Sequence, residues 1–215
     1  MNSTPILYHE KQLERIEQFI EEEWGTEISG NIVHEIESEY VHTDIQTIND
    51  GSEITLVTCG VGAREMNSPL PGFSRMELIM YASPELDIDP NSGSAQPYLT
   101  ACNELIKISK FPFREDTWLG PGHTINASEQ FADTFGYPYF LFVEYPETAK
   151  LSKTKEVHFL IAVPIYEEEL NQMMESEEGF MPFMMKYFTY FEEPANEGNI
   201  FRIDVERPQL TRGTP

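Results

Sequence analysis

The chain has 215 residues, of which 40% are hydrophobic and 12% aromatic, a composition typical of a folded globular protein. Its 37 acidic and 14 basic residues give a formal net charge of −23, which argues against a nucleic-acid binder and against docking on an anionic membrane. A surface of this charge attracts basic partners, but it also keeps a protein soluble, and composition leaves both explanations open.

Three features predict a cytoplasmic protein. The first residues, MNSTPILYHEKQLE, lack the basic segment and long apolar run of a secretory signal. No stretch of about 18 apolar residues, the length that spans a membrane, occurs in the sequence. The two cysteines, Cys59 and Cys102, lie in apolar segments, so we expect buried, reduced thiols rather than a disulfide framework.

The first predicted element is an amphipathic helix over residues 9–24. Its apolar stripe consists of Leu13, Ile16, Ile20 and Trp24. A neighbouring acidic stripe consists of Glu10, Glu14, Glu17 and Glu21. Gly25 is the expected stop, because glycine commonly follows the last turn of a helix.

Strand patterns follow this helix. Asn49-Asp50-Gly51 is a turn signal, so the strands on either side of it are expected to pair antiparallel. Two later apolar runs, residues 138–145 and 157–166, are joined by a lysine-containing link and predict a central hairpin. The earlier strands, which are rich in β-branched or alternating apolar residues, are predicted over residues 41–48, 53–59 and 74–82.

Prolines mark the ends of the next elements. Residues 83–97, rich in proline and serine, are expected to form a loop. Pro97 suits the first turn of a helix, and Pro112 is expected to close that helix. Residues 167–190 return to helical spacing, which predicts two consecutive helices with a break near Gly179.

Together these elements predict a single α+β domain over residues 1–205, with a mixed, largely antiparallel sheet flanked by helices. Its core is expected at about residues 9–190. Residues 199–205 are predicted to form a last strand, and the polar residues 206–215 a flexible tail. No internal repeat or long linker marks a second domain.

The most distinctive string in the sequence is TWLGPGHTI, residues 117–125. Two glycines around a proline are typical of a tight turn, because glycine permits positive φ or close backbone approach. Trp118 supplies a large apolar anchor, and His123 donates or accepts a proton near neutral pH. The loop is therefore either a binding platform that uses Trp118 and His123 or a fixed turn with a structural role.

The string TWLGPGHTI resembles the signature loop of the suppressor-of-fused family. Four other segments are similar to that family in the same order, namely HTDI (42–45), TLVTCGVGAREMN (55–67), RMELIMY (75–81) and VPIYEEEL (163–170). Five matches in order identify the chain as a member. The resemblance implies the fold of that family and a non-enzymatic role in binding proteins.

The resemblance also implies which type of member this is. Animal members bind transcription factors of the Hedgehog pathway and have a second, C-terminal region that closes on the bound peptide. The resemblance does not extend to that region, so it implies the bacterial, single-domain type. Such proteins are associated with toxin–immunity systems, in which a small cytoplasmic protein neutralises a toxin. The family implies no cofactor, no metal and no catalytic residue.

A polar cluster is the main candidate for chemistry outside the loop. His42 and Asp44 stand two apart on one predicted strand, as Arg75 and Glu77 do on another, so each pair points to one face. If the strands lie close together, these four side chains form a cluster that His123 can join. We expect an ion-pair network rather than a metal or acid–base site, because a complete set of metal ligands is not identifiable.

Acidic residues after the last apolar run supply a candidate partner surface, made of Glu167, Glu168, Glu169 and Glu175. Such runs are commonly solvated helix faces. With a net charge of −23 and the immunity association, however, they predict docking of a basic toxin domain such as a nuclease. The methionines from Met173 to Met185 are expected to form either core or an adaptable contact surface.

Two alternatives to this function stay open. The first is a regulator that binds a small ligand, or a peptide that adds to an exposed sheet edge. The second is an enzyme that uses the polar cluster. The sequence contains no phosphate-binding or nucleophile-elbow motif. The segment DIDPNSG (87–93) begins like a calcium loop but lacks its glycine and its final glutamate. The oligomeric state is not indicated.

Overall fold

The computed structural model describes residues 4–25, 28–36, 38–175 and 201–210, together with Pro182, Met184, Met185 and Thr189. The strands are β1 (Ile28–Val33), β2 (Asp44–Asn49), β3 (Ile54–Cys59), β4 (Met76–Ala82), β5 (Thr124–Asn126), β6 (Tyr139–Lys150) and β7 (Glu156–Ile165). The helices are α1 (Glu10–Trp24), α2 (Gln96–Arg114), α3 (Glu129–Phe135) and α4 (Glu167–Glu175). None of the helices in these ranges is long and apolar enough to cross a membrane.

The seven strands form one sheet in the order β1-β2-β3-β4-β7-β6-β5. The pair β4 and β7 is parallel and every other pair is antiparallel, which confirms the mixed, largely antiparallel sheet. Asn49–Gly51 is the turn between β2 and β3, as expected, and Gly51 has a φ of 85°. The predicted hairpin is also confirmed, although β6 extends to Lys150 and shortens its link to β7.

Helices cover both faces of this sheet, which explains why its inner strands are apolar without alternation. On β3, every residue is buried, with Leu56 in one core and Val57 in the other. The first core packs against α2 and α3 through residues such as Leu105 and Phe131. The second packs against α1 and α4 through Ile16, Ile20 and Met173. The result is the single α+β arrangement that the sequence predicts.

Helix α1 matches the prediction closely. Ile16 and Ile20 are fully buried, whereas Leu13 lies at the edge of the stripe and is 37% exposed. Gly25 ends the helix with a φ of 91°, and its amide donates to the carbonyl of Glu21. A residue with a side chain would be strained in this conformation, so glycine here has a local structural reason.

Pro112 does not close α2, which is a correction to the prediction. The helix continues to Arg114, and the amide of Glu115 still donates to the carbonyl of Phe111. Proline removes one backbone donor, but the loss is offset here because Phe113, only 8% exposed, holds the last turn against the core. Tertiary packing thus outweighs the local helix-breaking tendency.

The last predicted strand is also wrong in its described part. Residues 201–205 form turns and one isolated bridge, between Arg202 and Tyr81. The backbone pairing stops there because the side chain of Asp204 accepts the amide hydrogen of Ser83 at 2.7 Å. The three elements that the sequence did not predict, β1, β5 and α3, are short and lack a long apolar period.

The polar C-terminal residues differ from the expected flexible tail. Arg207 is 4% exposed and Leu210 is 3% exposed, so residues 206–210 are anchored to the domain. Residues 211–215 lie outside the described part of the chain. The predicted break near Gly179 also lies outside it, as does Met181.

The methionine face divides into two groups. Met173 and Met184 are buried in the second core, with 7% and 4% exposure. Met174 and Met185 are 77% and 59% exposed. The core interpretation therefore holds for the first two methionines, while the other two remain free to contact solvent or a partner.

Gly60 provides a test of the fold. A Cβ atom at this position would lie 2.0 Å from the carbonyl oxygen of His42, and the φ of Gly60 is 133°. We expect Gly60→Ala to lower the free energy of unfolding by about 2–4 kcal/mol, through strain and overlap combined. Urea denaturation measures this loss. Gly93→Ala is the control, because no atom lies within 4 Å and its φ is not positive. Equal stability of the two variants would contradict the described turn.

Candidate functional site

Glu77 is the most enclosed charged residue of the predicted polar cluster. Its side chain is fully buried on β4, and its carboxylate accepts five hydrogen bonds. The donors are the hydroxyls of Tyr8 and Thr58, both at 2.7 Å, and the amides of Gly60, Val61 and Gly62, at 3.0, 3.3 and 3.0 Å. The three amides belong to the turn at residues 60–63, which we name the Gly60 turn.

Arg75 binds the backbone carbonyl groups of the same turn. One guanidinium nitrogen donates to the carbonyls of Gly62 and Ala63, both at 2.7 Å, and another donates to Glu65 at 2.9 Å. The terminal nitrogens of Arg75 and both oxygens of Glu77 thus contact backbone groups of one turn and neighbouring side chains. This arrangement supports the structural interpretation of the pair, because these atoms are already engaged.

Burial governs the titration of this region. Burial raises the pKa of Glu77, and the hydrogen bonds from Thr58, Tyr8 and the turn amides limit the rise. Burial also raises the pKa of Tyr8 and of the Cys59 thiol, and the nearby Glu77 adds to both shifts. A thiol shifted in this direction is a poor nucleophile, which argues against cysteine chemistry here.

His42 and Asp44 are in contact, as expected, but His34, which was not predicted, also contacts Asp44. The Nε2 atom of His42 lies 3.0 Å from Oδ1 of Asp44, and Nδ1 of His34 lies 3.1 Å from the same oxygen. Neither contact has hydrogen-bond geometry, so this oxygen is buried without a hydrogen bond. The hydroxyl of Ser38 lies 2.6 Å from the other ring nitrogen of His42. His34 and Ser38 lie in an irregular segment, so no periodic pattern predicts their place in the cluster.

Glu35 anchors that segment to helix α2. Its carboxylate accepts from Lys110 at 2.8 Å and from the amide of Thr43 at 2.9 Å. Lys110 also donates to the carbonyl of Val41 and, at 2.9 Å, to the hydroxyl of Thr43. Burial lowers the pKa of Lys110, while its contact with Glu35 opposes the shift. The network thus fastens residues 34–38 over the start of β2.

His123 has different contacts from the rest of the predicted cluster. Its ring packs edge-on against Trp118 with the centroids 4.3 Å apart, and its carbonyl accepts from the amide of Phe142 at 2.9 Å. Burial lowers the pKa of His123, and a hydrogen bond with the backbone of Trp118 opposes the shift. Within the described ranges, no group of three or more His, Cys, Asp and Glu side chains is arranged to hold a metal ion.

The TWLGPGHTI loop is built as a fixed turn. Gly120 is required by close approach, because a Cβ atom there would lie 2.2 Å from the ring of Trp118. Gly122 has a φ of 82°, and its amide donates to the carbonyl of Phe142 at 2.8 Å. Trp118 also meets Phe73 edge-on at 6.1 Å. These contacts account for both glycines and the tryptophan, and a binding role for Trp118 and His123 stays a prediction.

Glu169 is not on the predicted acidic surface. Glu167, Glu168 and Glu175 are exposed on α4, but Glu169 is fully buried. Its two oxygens accept from the two terminal nitrogens of Arg207, at 2.5 and 2.8 Å. Sequence reasoning missed this pair because its members are 38 residues apart and lie in runs that look solvated.

The pair ties the start of α4 to the C-terminal segment. Glu169 also accepts the amides of Tyr166 at 2.9 Å and Leu210 at 2.8 Å. The Arg207 guanidinium donates to the carbonyl of Pro164 at 2.9 Å and lies 5.1 Å from the ring centre of Tyr166. These contacts satisfy most of the polar atoms, as a buried ion pair requires.

A groove beside this segment is strongly acidic. It has a volume of about 530 Å³ and is lined by four carboxylates, with no basic residue among its lining. The carboxylates, which we name the groove carboxylates, are those of Glu85, Asp87, Asp204 and Glu206. Hydrogen bonds from Ser92 and Ser94 lower the pKa of Asp87. No local motif indicated this groove, because its walls are more than a hundred residues apart in the sequence.

The fold and these sites define a class of protein. It is a single α+β domain in which some charged residues hold backbone turns in place and others line a surface groove. The family model described as suppressor of fused protein (SUFU) matches residues 39–208, and the chain belongs to this family. A solved structure described as the Sufu-Fu complex has a similar fold, with a TM-score of 0.64 and 13% sequence identity over 96% of this chain and 93% of that chain. No curated protein matches the chain.

The buried ion pair gives a stability prediction. Arg207→Met leaves the fully buried Glu169 without its partner, so we expect the free energy of unfolding to fall by about 3–5 kcal/mol. Urea denaturation with circular dichroism measures the loss. The matched control is Glu168→Gln, next to Glu169 but exposed, which should change stability by less than about 0.5 kcal/mol. A loss no larger than that of the control would show that the pair is open in solution.

Glu77 gives a prediction about pH. Because burial raises its pKa above 4.5, the native protein binds a proton above that pH that the unfolded chain has released. Wild-type stability therefore loses the contribution of Glu77 as pH rises through its folded-state pKa, whereas Glu77→Gln has no such proton. Urea denaturation from about pH 4 to about pH 8 should show the stability difference between wild type and variant shrinking. A difference that grows with pH would indicate an ionised Glu77 with a lowered pKa.

Proposed function

We propose that this chain is a non-enzymatic interaction module that binds a basic protein partner through its acidic groove. The observation that carries the proposal is the lining of that groove, four carboxylates with no basic residue. We further propose that the partner is a toxin and that the chain acts as the immunity protein that neutralises it, as in bacterial members of the family.

Membership of the suppressor of fused family supports a role in binding proteins. The similar solved structure is described as a complex of Sufu with Fu, so that relative was captured with another component. The similarity at 13% identity concerns the fold, and the partner of this chain is inferred from its own charges.

The electrostatics favour a cationic partner. A net charge of −23 speeds the approach of a basic protein over long distances, and the groove concentrates negative potential between low-dielectric walls. A volume of about 530 Å³ is enough for a lysine or arginine side chain with part of its backbone. A nuclease toxin, whose active site must be basic to hold nucleic acid, fits this description.

The proposal also includes exposed glutamates of α4. Glu167 and Glu168 are exposed in its first turn. Glu206, a groove carboxylate, precedes Arg207, and the ion pair of Arg207 with Glu169 joins this wall of the groove to α4. We therefore name the groove carboxylates with Glu167 and Glu168 the acidic docking surface.

The cytoplasm is the proposed compartment for this interaction. Cys59 and Cys102 are both buried free thiols, as expected of a protein in a reducing compartment. The enzyme alternative receives less support, because Arg75 and Glu77 are engaged by the Gly60 turn and His123 packs on Trp118. Their geometry is that of a scaffold for the sheet and loops.

The proposal is tested by recovering the partner and then removing the groove charges. Affinity capture from the source cells, followed by mass spectrometry, should recover a basic protein. Glu85→Gln with Glu206→Gln should weaken its binding at least about tenfold by calorimetry, because two exposed groove charges are lost. The affinity of the wild type should also fall steeply as salt is raised.

The matched control is Glu10→Gln with Glu147→Gln, which removes two exposed carboxylates away from the groove lining. An equal loss in the control would show that only net charge matters. Binding that does not respond to salt would instead indicate backbone pairing at a sheet edge. Repeated recovery of no basic partner across several growth conditions would count against the proposal.

A further inference from the structure

A second cavity, with the opposite chemical character, lies beside the start of helix α1. It has a volume of about 520 Å³, close to that of the acidic groove, yet none of its lining residues is acidic. The lining residues that matter here, which define the N-terminal cavity, are Ile6, Leu7, His9, Gln12, Arg75 and Lys155. A lining without Asp or Glu contrasts with the composition of the chain, which has 37 acidic residues.

Two cations face this cavity. Arg75 is only 9% exposed, and its Nε atom is buried without a hydrogen-bond partner. Its terminal nitrogens are taken by the Gly60 turn and by Glu65. Lys155 is exposed at the hairpin between β6 and β7, and among the described residues its ammonium group forms no ion pair. Lys155 therefore supplies the free positive charge.

The start of α1 adds a second positive element. His9 is its N-cap residue, and Gln12 lies in its first turn, with the Gln12 side chain accepting the amide hydrogen of His9 at 3.1 Å. The first amides of a helix point outwards, and the helix dipole is positive at this end, so anions are stabilised there. The helix has 15 residues, long enough for this effect.

The other wall of the cavity is apolar and open. Ile6 and Leu7 are 44% and 58% exposed, although both are large hydrophobic residues. The segment that carries them is held in place, because Ile6 pairs with Tyr40 and His42 through its backbone and Tyr8 donates to Glu77. The cavity therefore has a positive side, formed by Lys155 and the start of α1, and an apolar side, formed by Ile6 and Leu7.

We propose that the N-terminal cavity binds a small apolar carboxylate. The carboxylate would lie between Lys155 and the first turn of α1, and the apolar group would cover Ile6 and Leu7. The overall charge of −23 does not prevent this, because charges beyond about 8 Å are largely screened at physiological salt. Of the acids around this end of α1, Glu10 in the first turn is exposed to solvent, Glu65 is paired with Arg75, and Glu77 is enclosed by its five hydrogen-bond donors.

The ligand chemistry has two sources, a free carboxylic acid or the C-terminal residue of a peptide. We would titrate the protein with hexanoate, N-acetyl-leucine and N-acetyl-leucinamide and follow amide shifts by NMR spectroscopy. Binding of either carboxylate in the millimolar range, with shifts at Ile6, Leu7 and Lys155, is the expected result. Tighter binding of N-acetyl-leucine than of hexanoate would indicate a peptide C-terminus, and the reverse a free acid.

Lys155→Met should weaken carboxylate binding by about tenfold, the loss expected for one charge-assisted hydrogen bond. The matched control is Lys153→Met, in the same turn and equally exposed but not in the cavity lining, which should bind as the wild type does. Leu7→Ser should weaken the apolar ligands without loss of the fold, because Leu7 is 58% exposed.

Three results would overturn the proposal. They are the absence of shifts with any probe, equal binding of the neutral amide, and equal losses in the two lysine variants. The acidic docking surface shares no residue with this cavity, so Glu85→Gln with Glu206→Gln should leave carboxylate binding unchanged. A negative result for one proposed site therefore does not decide the test of the other.

Discussion

The enclosure of the Glu77 carboxylate is the constraint on which the rest of the structure depends. Glu77 sits on β4 at the centre of the sheet and accepts the amides of the Gly60 turn, which would otherwise be buried without acceptors. Arg75 takes the carbonyls of the same turn. Tyr8 adds the N-terminal segment, which forms the apolar wall of the N-terminal cavity. One buried acid thus organises the sheet, a turn and a cavity.

Much of the fold was predictable because its cause is local. The inner strands are covered on both faces and read as continuous apolar runs, while α1 shows a clear helical period ended by glycine. The predicted end of α2 at Pro112 was wrong because the helix-breaking tendency of proline is local. The packing of Phe113 that outweighs it depends on the tertiary structure. Strand β5 has only three residues, and Ser29, Gly30 and Asn31 interrupt the apolar residues of β1, so neither strand shows a period.

The sites were less predictable, since they depend on residues that are distant in sequence. Periodicity placed His42 with Asp44 and Arg75 with Glu77, but the donors that surround Glu77 come partly from backbone amides, which have no sequence signature. Glu169 belongs to a run that looks solvated, and its burial depends on contacts with Arg207 and Leu210, which are distant in sequence. The two cavities have similar volumes and opposite linings, which net charge alone could not indicate.

The position of the groove walls has a consequence for synthesis. Asp204 and Glu206 form one wall, while Glu85 and Asp87 form the other, so the groove requires residues made more than a hundred peptide bonds apart. A nascent chain on the ribosome can therefore build the sheet before it has any groove. The proposed docking surface is complete only after residues 201–210 have emerged and Arg207 has paired with Glu169. A partner that recognises the proposed surface therefore has to bind after this segment has folded onto the sheet.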